Sequence, residues 1–475
     1  MKTKIVATIG PASSSEEMLR NLIINGVSVF RLNFSHSSYE DHQLVIDRIH
    51  KLNTELGTNI AILADLQGPK LRIGLMENGQ AFMEDGHELV FTTNECTCNS
   101  DRLFITYPEF ARDVKPGEDI LLDDGKLLFR VLETNKIDEV KAKVIHGGIL
   151  SSKKGVNLPN TIISLPSMTE KDLRDLQFAL KNRVNWIALS FVRTANDIIE
   201  LRKSISQYAE EGLSVRIIAK IEKPEAVKNM DAIVEATDGI MVARGDLGVE
   251  LPLEQVPLVQ KTLVNKCIKA CKPVIIATQM MEGMISNIRP TRAEVNDVAN
   301  SVLDGADALM LSGETSIGQY PVEVIQTMKK IIREVEEFQD IYNKHHEANL
   351  ENKEYLISDS ILFSACNIAW EANAKAILAM THTGYSAFRI SSQRPKTDVY
   401  IFSNDHELLC TLNLVWGING IFFDEIEHST TRTLKKITEK LIASGLIKQG
   451  DLLVNVASTP IYISGKTNML KLSFA

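Results

Sequence analysis

The chain has 475 residues, 44% of them hydrophobic and 24% charged, ordinary globular proportions that exclude a disordered chain or a fibre. At about 150 residues per domain the length predicts about three domains. A net charge of −9 argues against a nucleic-acid binder with a broadly basic surface, so an anionic ligand must meet a local cluster of cations.

The N-terminal stretch reaches Gly10-Pro11 after too few apolar residues for a secretory segment, and no run approaches the roughly 18 apolar residues of a membrane span. The six cysteines are too sparse for a disulfide scaffold, and Cys96, Cys98, Cys267 and Cys271 lack the neighbours of a zinc set. A cytoplasmic protein with plain thiols is the expectation.

Strand candidates begin near Lys4, Val27 and Asn59, each followed by helical periodicity. The stretch from Gly68 to Pro166 then changes texture: it carries the hairpin-like segment Leu121 to Leu132 and little helical period, and it reads as a separate small β domain. Strand candidates resume near Trp186, Val215, Gly239, Pro273 and Asp307. Successive starts lie 23 to 34 residues apart except for one gap of 127, which holds the insertion.

Eight near-continuous apolar strands, such as Ile60 to Ala64 and Val274 to Ala277, each followed by an amphipathic segment, predict a parallel sheet covered by helices. Eight such units close most naturally into a barrel. A charged helix through Arg333 to Glu337 follows, then a polar linker from His345 to Glu354. A last α/β domain has strands at Ala376–Met380, Asp398–Phe402, Gly420–Phe423 and Asp451–Val456. The predicted class is α/β: a barrel over 1–68 and 167–340, an inserted β domain over 69–166, and a C-terminal α/β domain over 341–475.

The strand C-termini form the active face of such a barrel, and here they are unusually polar. Strand two ends in Arg31, Asn33, Ser35 and His36, strand three in Asp65 and Gln67, with Arg72 just beyond, and strand five in Lys220 and Glu222. Strand six ends in Arg244, Gly245 and Asp246, strand seven in Thr278 and Gln279, and strand eight in Ser312 and Glu314. Glu222 and Asp246, on adjacent strands, suit one Mg²⁺ completed by substrate oxygens. Arg31, Arg72 and Lys220 would neutralise a transferring phosphoryl group. Backbone N–H groups at Gly245-Asp246 and the Thr278 hydroxyl are candidates to hold a carboxylate. The substrate reads as a small phosphorylated acid.

The segments Arg31 to His36, Ile218 to Glu222, Met241 to Glu250, Ala277 to Met280 and Leu311 to Thr315 resemble pyruvate kinase motifs in the same order, as do Ser152 to Pro159 and Thr291 to Glu294. The resemblance implies a (β/α)8 TIM barrel, an inserted β-barrel lid, a C-terminal effector domain and a homotetramer. It implies transfer of the phosphoryl group of phosphoenolpyruvate to ADP, giving pyruvate and ATP, with Mg²⁺ or Mn²⁺ held by Glu222 and Asp246. Lys220 would stabilise the transferring phosphoryl, and Arg31, Lys220, Gly245, Asp246 and Thr278 would bind phosphoenolpyruvate. Asn33, His36, Arg72 and Lys154 would meet the nucleotide. Ser312 and Glu314, with Thr278, would serve the network that protonates the enolate.

Asn33, Ser35 and Asp65 match the family's K⁺ site, yet Lys70 stands where many members carry glutamate, and Leu66, Gln67 and Ile73 resemble the potassium-independent branch. An ammonium there supplies the charge a bound K⁺ would, so K⁺ is not expected to be required. Thr381, His382, Thr383, Gly384 and Ser386 resemble the effector loop, although His382 and Tyr385 stand where sugar-bisphosphate-activated members are basic. A metal-dependent lyase would leave the insertion and Lys154 without a task. An idle sensor would not need Lys220 and both metal carboxylates.

Overall fold

The computed structural model describes residues 1–343, 354–425, 427–460 and 465–475. Eight parallel strands close into a barrel: Lys4–Thr8, Val29–Asn33, Ala61–Asp65, Trp186–Leu189, Arg216–Ile221, Gly239–Ala243, Val274–Ala277 and Ala308–Leu311. Each is apolar on both faces because one face fills the barrel and the other packs under helices. Val6, Leu63, Trp186, Ile218, Met241 and Ile275 point inward, while Ile5, Phe30, Ile62, Ile217 and Ile240 meet the helical layer. The ring closes where Lys4 pairs with Ala308.

Between the third and fourth barrel strands, strands from Gln80 to Asn157 form a six-stranded sheet beside a two-stranded one. Arg72 bridges to Gly155, next to one edge strand, and Ile73 bridges to Ile105, next to the other edge. The short segment after Gly68 thus joins the two edges of the sheet and leaves neither open. The hairpin expected around Leu121 to Leu132 is present, pairing Asp119–Leu122 with Leu127–Thr134. A core of its own, including Phe91, Phe110 and Phe129, supports this body.

The C-terminal part is a five-stranded sheet flanked by helices. Four of its strands fall at the expected segments. The fifth, Met469–Phe474, pairs antiparallel with Leu452–Ala457 and was not expected: Lys471 and Ser473 interrupt Leu470, Leu472 and Phe474, so it lacks the continuous apolar run of the buried parallel strands. The linker expected from His345 to Glu354 lies outside the described residues apart from Glu354. This domain sits against the barrel's N-terminal face, where Trp186 Nε1 donates to the Thr411 carbonyl at 3.1 Å and Lys4 Nζ to that of Ile418 at 2.7 Å.

Candidate active site

Strand alternation places Lys220 and Glu222 one pleat apart at the C-terminal end of Arg216–Ile221. The Lys220 ammonium lies 2.9 Å from Glu222 Oε1 and 3.2 Å from Asp65 Oδ1, and it donates to Ser190 Oγ at 2.7 Å. Asp65 Oδ2 accepts from Arg31 Nε at 2.7 Å, and Arg31 Nη1 donates to Thr8 Oγ1 at 3.0 Å. One buried chain of alternating charge, Arg31–Asp65–Lys220–Glu222, therefore crosses three strand ends.

Burial disfavours every charge in this chain, and the partners decide the outcome. For Lys220, burial pulls the ammonium down, but Asp65 and then Glu222 outweigh it and the net shift is upward, so it stays a cation. For Asp65, burial pushes the carboxyl up and is overcome by Lys220 and Arg31, leaving it below its ordinary range. Glu222 goes the other way: burial raises it, Asp246 adds to the rise, and Lys220 offsets only part.

Glu222 Oε1, although within ion-pair distance of Lys220, makes no hydrogen bond of proper geometry, while Oε2 accepts from the Phe191 N–H at 2.7 Å. A buried carboxylate oxygen without such a bond, with a second carboxylate in its electrostatic field, is a donor set of hard oxygens only. No cluster of three or more His, Cys, Asp or Glu side chains stands ready as a metal cage among the described residues. Two carboxylates completed by substrate are what Mg²⁺ accepts. The residues fit the ion.

Gly239–Ala243 runs directly into the helix Arg244–Glu250, which puts Asp246 in its first turn. The donors expected to hold a substrate carboxylate are engaged with one another here: the Gly245 N–H donates to Thr278 Oγ1, and that hydroxyl donates to the Ala277 carbonyl, both at 2.6 Å. Thr278 and Gln279 are both left-handed, at φ 70° and 55°, a strain of about 1–3 kcal/mol each. Arg244 supports the turn, its Nη2 donating to the Thr278 carbonyl and its Nη1 to Asp297 Oδ1, each at 2.7 Å.

Glu314 is buried and ties two loops together, Oε1 accepting from the Met281 N–H at 3.1 Å and Oε2 from that of Ser312 at 2.7 Å. Burial raises its carboxyl despite these bonds. Asn33 Oδ1 accepts from the Ser35 N–H at 3.1 Å, and His36 is exposed.

Arg72 and Lys154 are placed in the inserted domain: Arg72 Nη1 donates to the Lys153 carbonyl at 2.9 Å, and Lys154 Nζ pairs with Asp123 Oδ1 at 2.7 Å. The cleft between insertion and barrel is lined by Lys70, Asp124, Gly155, Phe191, Lys223 and Asp246. Lys70 is exposed and is among the residues that line this cleft.

Residues beyond the expected set also belong here. Ser190 Oγ meets the Lys220 ammonium, and the Phe191 N–H meets Glu222. Glu250 accepts from Asn157 Nδ2 of the insertion at 2.8 Å and pairs with Lys223, so it fastens insertion to barrel. The rule that barrel sites sit at strand ends would have flagged Ser190-Phe191, which directly follow the fourth strand.

In the C-terminal domain, Thr381 Oγ1 accepts from the Gly384 N–H at 2.9 Å and Ser386 Oγ meets Thr467 Oγ1 at 3.0 Å. Thr381, His382, Thr383, Ser386 and Lys466 line a cavity of about 180 Å³. Arg216, at the far end of the strand that carries Lys220, donates from Nη2 to the Thr383 carbonyl at 3.0 Å.

Residues 1–325 match the family described as pyruvate kinase, barrel domain, and residues 359–473 match pyruvate kinase, alpha/beta domain. The chain belongs to the pyruvate kinase family. It is 42% identical to a pyruvate kinase of Geobacillus stearothermophilus over 479 residues, covering 99% of this chain and 80% of the relative. A pyruvate kinase of Staphylococcus epidermidis is 42% identical over 472 residues, with the same coverage. The crystal structure of a pyruvate kinase from Cryptosporidium parvum superposes with a TM-score of 0.92 at 34% identity, covering 100% of this chain and 96% of the other.

Proposed function

We propose that the chain transfers the phosphoryl group of phosphoenolpyruvate to ADP, giving pyruvate and ATP. The observation that carries this reading is the buried Lys220 ammonium, held as a cation by Asp65 and Glu222 at the strand ends of a pyruvate kinase barrel. A β-phosphate oxygen of ADP attacks phosphorus, the bond from phosphorus to the enol oxygen breaks with its electron pair leaving on that oxygen, and the methylene carbon of the enolate takes a proton. Lys220 neutralises charge on the transferring phosphoryl, and Arg31 holds the substrate's phosphate from the other side of Asp65. Gly245, Asp246 and Thr278 bind the substrate acid, which requires Thr278 to exchange its contact with the Ala277 carbonyl for one with the ligand.

Glu222 and Asp246 would hold Mg²⁺, or Mn²⁺ in its place, which when bound supplies positive charge beside the phosphoryl and enolate oxygens. Asn33, His36, Arg72 and Lys154 serve the nucleotide, the last two brought over the barrel mouth by closure of the inserted domain, residues 69–166, onto the barrel of 1–68 and 167–340. Closure excludes water, which competes as phosphoryl acceptor. Glu314 acts through the loop backbones it ties, with Ser312, to hold the network that delivers the proton. Asn33, Ser35 and Asp65 are the family's K⁺ ligands, and Lys70 makes that ion dispensable. Residues 381–386 form an effector loop in the domain of 341–475, and the enzyme works as a cytoplasmic homotetramer. A coupled assay that follows pyruvate from phosphoenolpyruvate tests the reading: formation must depend on both ADP and Mg²⁺, and pyruvate formed without ADP would overturn it.

A further inference from the structure

Ser190 and Phe191 leave the fourth barrel strand in a turn that grips both members of the Lys220–Glu222 pair. Phe191 is left-handed, at φ 54°, which aims its N–H at Glu222 Oε2, 2.7 Å away, while Ser190 Oγ, one residue earlier, accepts from Lys220 Nζ at 2.7 Å. The direction of the Ser190 hydroxyl is fixed, because it donates to the Leu66 carbonyl at 2.7 Å. Its lone pairs are therefore left for the ammonium.

The turn is locked from above by Gly68, itself at φ 69°. A Cβ there would lie 3.0 Å from the Phe191 ring and 3.1 Å from Ser190 Cβ, so only glycine lets this segment settle on the turn. Ser190 is 3% exposed, and no solvent substitutes for it.

Three groups lie within 3.2 Å of the Lys220 ammonium, Glu222, Asp65 and Ser190, and Ser190 takes a hydrogen bond from it while Glu222 Oε1 makes none of proper geometry. Two are carboxylates with other claims on them, since Asp65 also serves Arg31 and Glu222 has the Phe191 N–H. Ser190 is the closest of the three and the one neutral partner. It directs the ammonium without weakening the charge that the phosphoryl group must meet.

We propose that Ser190 is a positioning residue for Lys220, aiming the ammonium at the transferring phosphoryl from a turn that also fixes Glu222. The inference rests on the phosphoryl-transfer reading above. An interaction that matters only as charge develops lowers kcat and leaves substrate binding alone. A merely structural serine would lower stability without that split.

The test uses the full-length enzyme and the coupled pyruvate assay, with Ser190→Ala, Ser190→Thr and Ser190→Val. Ser190→Ala is expected to lower kcat about tenfold or more with KM for phosphoenolpyruvate within about threefold, the size expected for a lost hydrogen bond to a charged group. Ser190→Thr keeps the hydroxyl and should recover kcat to within about threefold, whereas Ser190→Val, its isostere without the hydroxyl, should match Ser190→Ala. If Ser190→Ala fails to fold, the Thr and Val pair carries the comparison. Binding of Mn²⁺ alone, followed by electron paramagnetic resonance, should stay within about twofold of the parent, because the metal carboxylates are untouched. An unchanged kcat in Ser190→Ala, a Ser190→Thr as slow as Ser190→Val, or a loss of Mn²⁺ binding would each overturn the proposal while an active parent leaves the reaction standing. A parent without ADP-dependent turnover would overturn the reading and the proposal with it.

Discussion

Arg394 of the C-terminal domain pairs with Asp307, which immediately precedes the last barrel strand, at 2.9 Å, and both side chains are almost wholly buried. Asp307 also accepts from the Trp416 and Val274 N–H groups at 3.1 Å each, and the Arg394 guanidinium lies 5.0 Å from the Trp416 ring centroid. This buried ion pair is one of several side-chain ties between the C-terminal domain and the barrel. Removing one partner leaves an uncompensated buried charge, so Arg394→Met should cost about 3–5 kcal/mol, read as a lower urea midpoint. Arg394→Met combined with Asp307→Asn should cost clearly less than the sum of the two single changes.

Lys220→Met should leave phosphoenolpyruvate binding largely intact and lower kcat by about a hundred- to a thousandfold or more, the range for loss of one preorganised charge-stabilising group. Equilibrium binding and turnover measured side by side check this. Turnover within a few fold of the parent would remove Lys220 from the proposed role.

Lys4, on the first barrel strand, makes stability depend on pH. Burial pushes its ammonium down from 10.5 to about 8, with Lys2 adding to the effect and Glu336 and Asp307 opposing it. The folded chain gives up this proton near pH 8 and the unfolded chain only near 10.5, so between those values the unfolded state binds more protons and stability rises with pH. Below pH 8 the folded state bears the full cost of a buried charge. The gap corresponds to about 3 kcal/mol, by which the parent should gain on Lys4→Met between about pH 7.5 and 10.5. Urea midpoints of both proteins across this range provide the measurement, and parallel curves would refute it.

Activity should be nearly full with Na⁺ or with no added monovalent cation. A strict K⁺ requirement in the pyruvate assay would refute the role given to Lys70.

The barrel was legible because its strands are apolar on both faces, so Ile60 to Ala64 or Val274 to Ala277 stands out without any tertiary knowledge. Lys220, Glu222, Asp246 and Asp65 were legible for the opposite reason, as charges at the ends of such runs. What escaped is written in the backbone. Nothing in the residues Thr278-Gln279 or Phe191 announces left-handed conformations, because they are imposed by neighbours such as Arg244 and Gly68. The same holds for the Gly245 N–H, a free donor on paper that the fold has already committed to Thr278. Met469–Phe474 escaped because an edge strand open to water carries no apolar run to read.

The barrel's first strand pairs with its last across some 300 residues of chain, whereas every ladder of the insertion lies within residues 72–157. On the ribosome, at about 5–20 residues per second, the insertion can finish folding many seconds before the final barrel strand exists. It then holds its own two ends together, so the third and fourth barrel strands, which pair at Leu63 and Trp186, meet across short tethers instead of one long unstructured loop. The inserted segment would thus act as a clasp during synthesis, lowering the entropy cost of the one strand pairing it interrupts.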